Sequence, residues 1–169
     1  MKRIFSLATL SIFILLSSCG KDGSDSNSSD AISAEIDGVR MTFNVNATAV
    51  RTSLSGSEIV QIIGFHGEQG ASEQIAVGLT GALTTIKAGV YTEDAVDPGH
   101  SGGVTYFIPN AFYPYGPSLT SSNPCSITVT SISATSIQGT FKGNVYLYDG
   151  AGPTTTRKVI TNGQFNLKF

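Results

Sequence analysis

From Ala31 onward, apolar and polar side chains alternate along the chain with a period of two, the spacing of a strand that buries one face. Ile32, Ala34 and Ile36 alternate with Ser33 and Glu35. After Asp37-Gly38, Val39, Met41, Phe43 and Val45 alternate with Arg40, Thr42, Asn44 and Asn46. Two alternating runs joined by Asp-Gly predict a hairpin, because both turn residues tolerate the positive φ that a two-residue turn needs. Ala47 to Leu54 and Glu58 to His66 form a second pair around a turn at Ser55-Gly56-Ser57. Ile59, Ile62, Ile63 and Phe65 leave the later strand little polar alternation, so it is expected to be central and buried on both faces.

Gln74 to Thr80 places Ile75, Val77 and Leu79 on one face. Short strands are expected at Val90-Tyr91 and from Gly103 to Ile108. Ile127 to Ile132 and Ile137 to Tyr148 follow, with Ile137, Phe141, Val145 and Leu147 sharing a face and Gly139 and Gly143 marking bends or close approaches. Lys158 to Phe169 carries Phe165, Leu167 and Phe169 on one side, and its Asn162-Gly163 is either a hairpin turn or a bulge. No window sustains the i, i+3, i+4, i+7 pattern of a helix. Nine or ten short strands separated by turn signals predict an all-β fold, an antiparallel β-sandwich or a partly open barrel.

Composition agrees with that class. Of 169 residues only 13% are charged, 19 are glycine and none is tryptophan, a balance unsuited to a helical bundle or coiled coil. A formal charge of −2 and an isoelectric point near 5.6 lack the basic footprint of a nucleic-acid binder.

The N-terminus is an address. Lys2 and Arg3 precede an apolar run from Ile4 to Leu16, and thirteen helical residues reach only about 20 Å against a hydrocarbon core of about 30 Å. The segment fits a cleaved export signal. Leu16-Ser17-Ser18-Cys19 resembles the lipobox of bacterial lipoproteins. That resemblance implies cleavage after residue 18, lipidation of Cys19 as the first mature residue, and attachment to a membrane through two or three acyl chains. Residues 1–18 are then the signal peptide, 19–30 a lipidated cysteine with a flexible Gly/Ser/Asp/Asn tether, and 31–169 one β-rich domain. Loss of Lys2 and Arg3 takes the formal charge from −2 to −4. With Cys19 lipidated, Cys125 is the one thiol left, so no internal disulfide can form. Cys125 is expected as a small buried apolar side chain at a strand start. Lys21-Asp22 is similar to the acidic export signal of Bacteroidetes surface lipoproteins, which favours the outer face of the outer membrane over the periplasmic one.

Three segments together carry a further resemblance. They are Ile32-Ser-Ala-Glu-Ile-Asp-Gly38, Ile127-Thr-Val-Thr followed by Ile137-Gln-Gly-Thr-Phe141, and Ile160-Thr-Asn-Gly-Gln-Phe165. They resemble a group of small Bacteroidetes lipoproteins of unknown function (the DUF6252-like group). This implies a β-rich fold in the cell envelope and supplies no catalytic residue.

Candidate chemistry is sparse. Gly99-His100-Ser101-Gly102-Gly103 matches the G-x-S-x-G elbow of α/β-hydrolases, which requires a strand turning sharply into a helix. Here a strand follows and βαβ units are missing, so a glycine-rich turn is the expectation, and a hydrolase using Ser101 with His66 or His100 is the alternative. His66 and His100 with Glu68, Glu73, Asp94 or Asp97 lack metal-ligand spacing, and the acidic loop from Glu93 to Asp97 is expected to be solvated rather than to hold calcium. No cofactor is expected. The segment Tyr106 to Pro117 concentrates Tyr106, Phe107, Phe112, Tyr113 and Tyr115 among three prolines. Such stiff rings with polar tips suit a glycan or a protein partner. Tyr106, Phe112, Tyr113 and Tyr115 are therefore the candidate binding loop. The competing expectation is that Tyr106, Phe107 and Phe112 plug the sandwich and leave Tyr113 and Tyr115 near solvent.

The sequence thus points to a non-catalytic envelope lipoprotein that binds a ligand or partner, or else to a structural accessory subunit of an outer-membrane complex. Mature protein made without residues 1–19 should enter the aqueous phase of a detergent partition, whereas the protein made with its signal and Cys19 enters the detergent phase. Full retention of the shortened protein in the detergent phase would refute the anchor.

Overall fold

The computed structural model describes residues 31–67, 72–82, 85–93, 100–118 and 121–169, and among them no helix occurs. The strands are β1 (Ala31–Ile36), β2 (Val39–Thr42), β3 (Val45–Leu54), β4 (Ser57–His66), β5 (Glu73–Gly81), β6 (Gly89–Thr92), β7 (His100–Phe107), β8 (Tyr115–Gly116), β9 (Ser126–Ile132), β10 (Ser136–Tyr148) and β11 (Pro153–Lys168). They form one sheet in the order β2-β1-β11-β10-β9-β6-β7-β5-β4-β3, with β8 paired to both β10 and β7. The bridging strand closes β10, β9, β6, β7 and β8 into a small ring, from which two wings extend. One wing is β11, β1 and β2; the other is β5, β4 and β3. All pairings are antiparallel except β6 with β7. The all-β sandwich or part-open barrel is the architecture found.

Local chemistry explains the turns. Asp37 and Gly38 lie at φ 51° and 82°, and Ser55 and Gly56 at 51° and 83°, the positive values that a two-residue hairpin turn requires at both positions. Asn162-Gly163 proves to be a bulge inside β11. Phe141 faces Gly163 while Gly143 faces Ile160, and Asn162 takes φ 50°. That extra residue bends β11 as it passes between β10 and β1. β11 also begins at Pro153, five residues before the expected start, because its Thr-rich first turns carry little apolar alternation.

The wings face each other across one core. Ile32, Phe43, Ile62, Tyr106, Ile127 and Phe165 are among its largest buried side chains. Phe43 sits where the chain leaves β2 for β3. Its amide donates to the Ile32 carbonyl at 2.8 Å, and its ring meets Tyr106 and His66 edge-on at 6.4 and 6.1 Å. The expected double burial of β4 needs correction. Val60 and Ile62 are buried, but Ile59, Ile63 and Phe65 on the other face remain half-exposed because no second layer covers them. Val39 likewise points to solvent at the exposed end of the short edge strand β2.

A part-buried ion pair ties the β3–β4 hairpin to the β9–β10 turn and the C-terminus. Glu58 accepts from Arg51 Nε and, through its other oxygen, from the Ile86 amide at 2.5 Å. Arg51 also donates to the Ser133 carbonyl at 3.0 Å and lies 5.5 Å from the centre of the Phe169 ring. It thereby connects β3 and β4 to the β9–β10 turn and the C-terminus. The Arg51 hydrogen bond holds the Glu58 carboxyl below its ordinary value, against burial that pushes it up. Because the folded value is depressed, this carboxylate stabilises the fold above the unfolded value of about 4.3 and loses that effect as pH falls through the folded one. Arg51→Ala should therefore cost about 2–4 kcal/mol at pH 7 by leaving Glu58 buried alone. Glu58→Gln should flatten the loss of stability between pH 5 and 3. Urea melts across that range test both; an unchanged acid slope in Glu58→Gln would contradict the assignment.

Candidate functional site

The outer face of β4, β5 and β7 is built from small side chains in register. Gln61, Gly78 and Gly103 lie side by side across the three strands. Ile63, Ala76 and Thr105 form the next row on one side, and Ile59, Thr80 and Ser101 the row on the other. All point away from the core because their neighbours Ile62, Val77, Leu79 and Val104 point into it. The result is a half-open cleft of about 610 Å³, within the size range of small-molecule sites.

Its walls come from the other side of the ring. Pro117 and Ser118 follow β8, Tyr148 ends β10, and Pro153 starts β11. Tyr148 is fixed at both ends: its amide donates to the Pro114 carbonyl at 3.1 Å and its hydroxyl to the Pro117 carbonyl at 2.6 Å. Its ring lies over Gly116, where an added Cβ would come within 3.1 Å of Cε2. At the floor the situation is reversed. A Cβ on Gly78 would meet nothing nearer than the Gly103 carbonyl at 4.0 Å, and one on Gly103 nothing nearer than Pro117 at 3.7 Å. Both glycines open space that the fold does not need.

Among the described residues the lining includes one carboxylate, Glu93, and no lysine, arginine or histidine. Thr80, Ser101, Thr105, Ser118 and Gln61 provide hydroxyls and an amide. Behind Glu93, Cys125 is fully buried, with its thiol 3.5 Å from the Asn144 carbonyl. Burial first, and the Glu93 carboxylate second, push that thiol far above its usual range. Cys125 is thus held as an inert neutral side chain.

The aromatic segment is divided by the fold. Tyr106 and Tyr115 are buried and pair across β7 and β8. The Tyr106 hydroxyl donates to Glu73 at 2.7 Å, and burial with that carboxylate raises its phenol well above the ordinary range. Phe112 is 88% exposed and Tyr113 37%, their rings perpendicular at 4.8 Å. The competing expectation is therefore altered at three positions: Tyr115 turns inward because it pairs in β8, whereas Phe107, 38% exposed at the end of β7, and Phe112, in the bend that follows, turn outward. Only Pro117 of this segment lines the cleft.

Residues His100 to Gly103 form part of strand β7 rather than a turn. Ser101 faces the cleft, whereas the His100 ring packs edge-on against buried Tyr91 at 5.5 Å. His66 pairs with Glu73 and Ser101 with Thr80, seven residues apart along β5, or about 24 Å at strand spacing. The structure brings neither histidine to Ser101. His66 instead sits 2.9 Å from the Thr42 carbonyl. Among the described residues no three His, Cys, Asp or Glu side chains gather to hold a metal. Cys19, Glu68, Asp94 and Asp97 lie outside the described residues.

No protein-family model, curated protein or solved structure matches the chain. The cleft was missed from sequence because its floor is marked only by small residues at alternate positions, Ala76-x-Gly78-x-Thr80 and Ser101-x-Gly103-x-Thr105. The division of the aromatic segment yields a direct check. Tyr115→Ala should destabilise the protein by about 3 kcal/mol, the scale of emptying a buried aromatic site. Phe112→Ala should stay within about 0.5 kcal/mol of the parent, as exposed sites do. Equal effects in thermal melts would contradict the placement.

Proposed function

We propose that this protein is a lipid-anchored module of the bacterial envelope that binds a small uncharged ligand in the cleft over β4, β5 and β7, without chemistry on it. The observation that carries the reading is the Gly78–Gly103 pair, which leaves a strand-built floor empty beneath fixed walls at Pro117 and Tyr148. The lipobox at Leu16 to Cys19 supports the anchor, and the likeness to small Bacteroidetes lipoproteins supports an outer-membrane location, with the acidic Lys21-Asp22 start favouring the cell surface. The non-catalytic part rests on the distance between Ser101 and His66 and on the packing of His100 against Tyr91. The exposed Phe112–Tyr113 pair is a second, smaller apolar feature outside the cleft.

The cleft can be filled without harming the sheet. Gly103→Leu places a branched side chain on the floor, at a strand position where glycine is otherwise unfavourable. A mixture of small fragments, followed by ligand-observed NMR on the full-length protein in detergent, should give binders to the parent that lose at least tenfold in affinity against Gly103→Leu. The variant's melting temperature should be no lower than the parent's. Binders unaffected by Gly103→Leu would remove the cleft as the site.

A further inference from the structure

Beside the cleft lies a second depression of about 440 Å³, lined by Ser118, Tyr146, Pro153, Thr154, Thr155 and Arg157. Ser118 and Pro153 line both spaces, so the two adjoin across that pair. Each space has one tyrosine wall. Tyr146 and Tyr148 stand two residues apart on β10 and share its outer face, since Leu147 between them packs against the core. Strand geometry sets their Cα atoms about 7 Å apart along the chain direction, so the two rings can contact neighbouring parts of one extended ligand. Tyr146 is also held in place: its hydroxyl lies 3.1 Å from Ser121 Oγ, and it faces Arg157 across the β10–β11 pair.

We infer that the cleft and this depression are consecutive subsites for a linear, uncharged, hydroxyl-rich chain, an oligosaccharide, with Tyr148 stacking on one unit and Tyr146 on the next. The inference rests on the cleft being the binding site. Charge complementarity selects the class. Among the described residues the inner space has the Glu93 carboxyl and no cation, while the one cation of the outer space, Arg157, is engaged by the Tyr146 hydroxyl. The inner space thus disfavours uronates, sulfated sugars and phosphates. Hydroxyls of Thr80, Ser101, Thr105 and Ser118 in one space and of Thr154 and Thr155 in the other offer both donors and acceptors, as a polyhydroxylated ligand needs. An acyl chain would desolvate the hydroxyls of Thr80, Ser101, Thr105, Thr154 and Thr155 without offering a hydrogen bond in return. A flat floor of glycine, alanine and short hydroxyl side chains between tyrosine and proline walls accepts the face of a pyranose ring.

Length dependence tests the proposal. The full-length protein, in a detergent without a sugar headgroup, is titrated with uncharged gluco-, manno- and xylo-oligosaccharides of one to six units and with the matching oligouronates. For at least one neutral series, affinity should rise tenfold or more from one unit to three and then level off, while the uronates bind at least tenfold more weakly. Tyr146→Ala should flatten the rise yet leave single-unit affinity within twofold. Tyr148→Ala should weaken every length. Affinity independent of length, or equal loss for one and three units in Tyr146→Ala, would overturn the paired subsites. If no oligosaccharide binds, the fragment mixture separates the two failures. Fragments still lost in Gly103→Leu would leave the cleft standing and refute the ligand class, and no fragment loss would refute the cleft itself.

Discussion

The close approach of Phe43 to Gly64 is the contact on which the two-wing architecture depends. A Cβ on Gly64 would fall 2.1 Å from the Phe43 carbonyl oxygen and 2.9 Å from Ile32 Cδ1, so only glycine lets the chain cross there. At the crossing the Phe43 amide is bonded to Ile32 on one wing while its ring reaches His66 on the other and Tyr106 on the ring strand β7. A single sheet of this length encloses a core only if its ends fold back over each other, and Phe43 is the point where they do. Arg51 and Glu58 then fix the far corner, where β3 meets the C-terminal end of β11.

Folding back decides where function can sit. With the two inner faces consumed by the core, the outer face of β4, β5 and β7 has no layer of its own. β8 supplies what is missing. By pairing with both β7 and β10 it carries Pro117 and Ser118 to the rim of that outer face and brings Tyr148 beside them. The cleft is thus a consequence of ring closure, and its walls are held by the same backbone bonds that close the ring.

Period and turn chemistry made much of this legible. The alternation of Ile75, Val77 and Leu79, the Asp37-Gly38 turn, and the shared face of Ile137, Phe141 and Val145 all report local geometry, and each is found as expected. Gly139 and Gly143 are close approaches as foreseen, to the Thr128 carbonyl and the Cys125 backbone respectively. What the residues could not convey was pairing at long range. Tyr115 reads as a solvent-facing ring until β8 is known to insert between β7 and β10. Ser101 reads as part of a turn until β7 is seen to pair with β5 along its whole length. The composition of the aromatic segment drew attention to its rings, whereas the fold uses its proline as a wall.

The glycines separate structural need from functional allowance. At Gly64, Gly102, Gly139, Gly143 and Gly163 an added Cβ would lie within 3.0 Å of backbone or packed side chains, so the fold itself requires them. Gly78 and Gly103 are different: each has room for a methyl group, neither takes a positive φ, and they face each other in mid-strand. Glycine there costs roughly 0.5–1 kcal/mol per site relative to alanine, and no packing contact in the structure requires it. Two adjacent positions that give up stability for empty space, under walls pinned by Tyr148, are what a shallow binding floor needs and what a purely structural sheet would not retain.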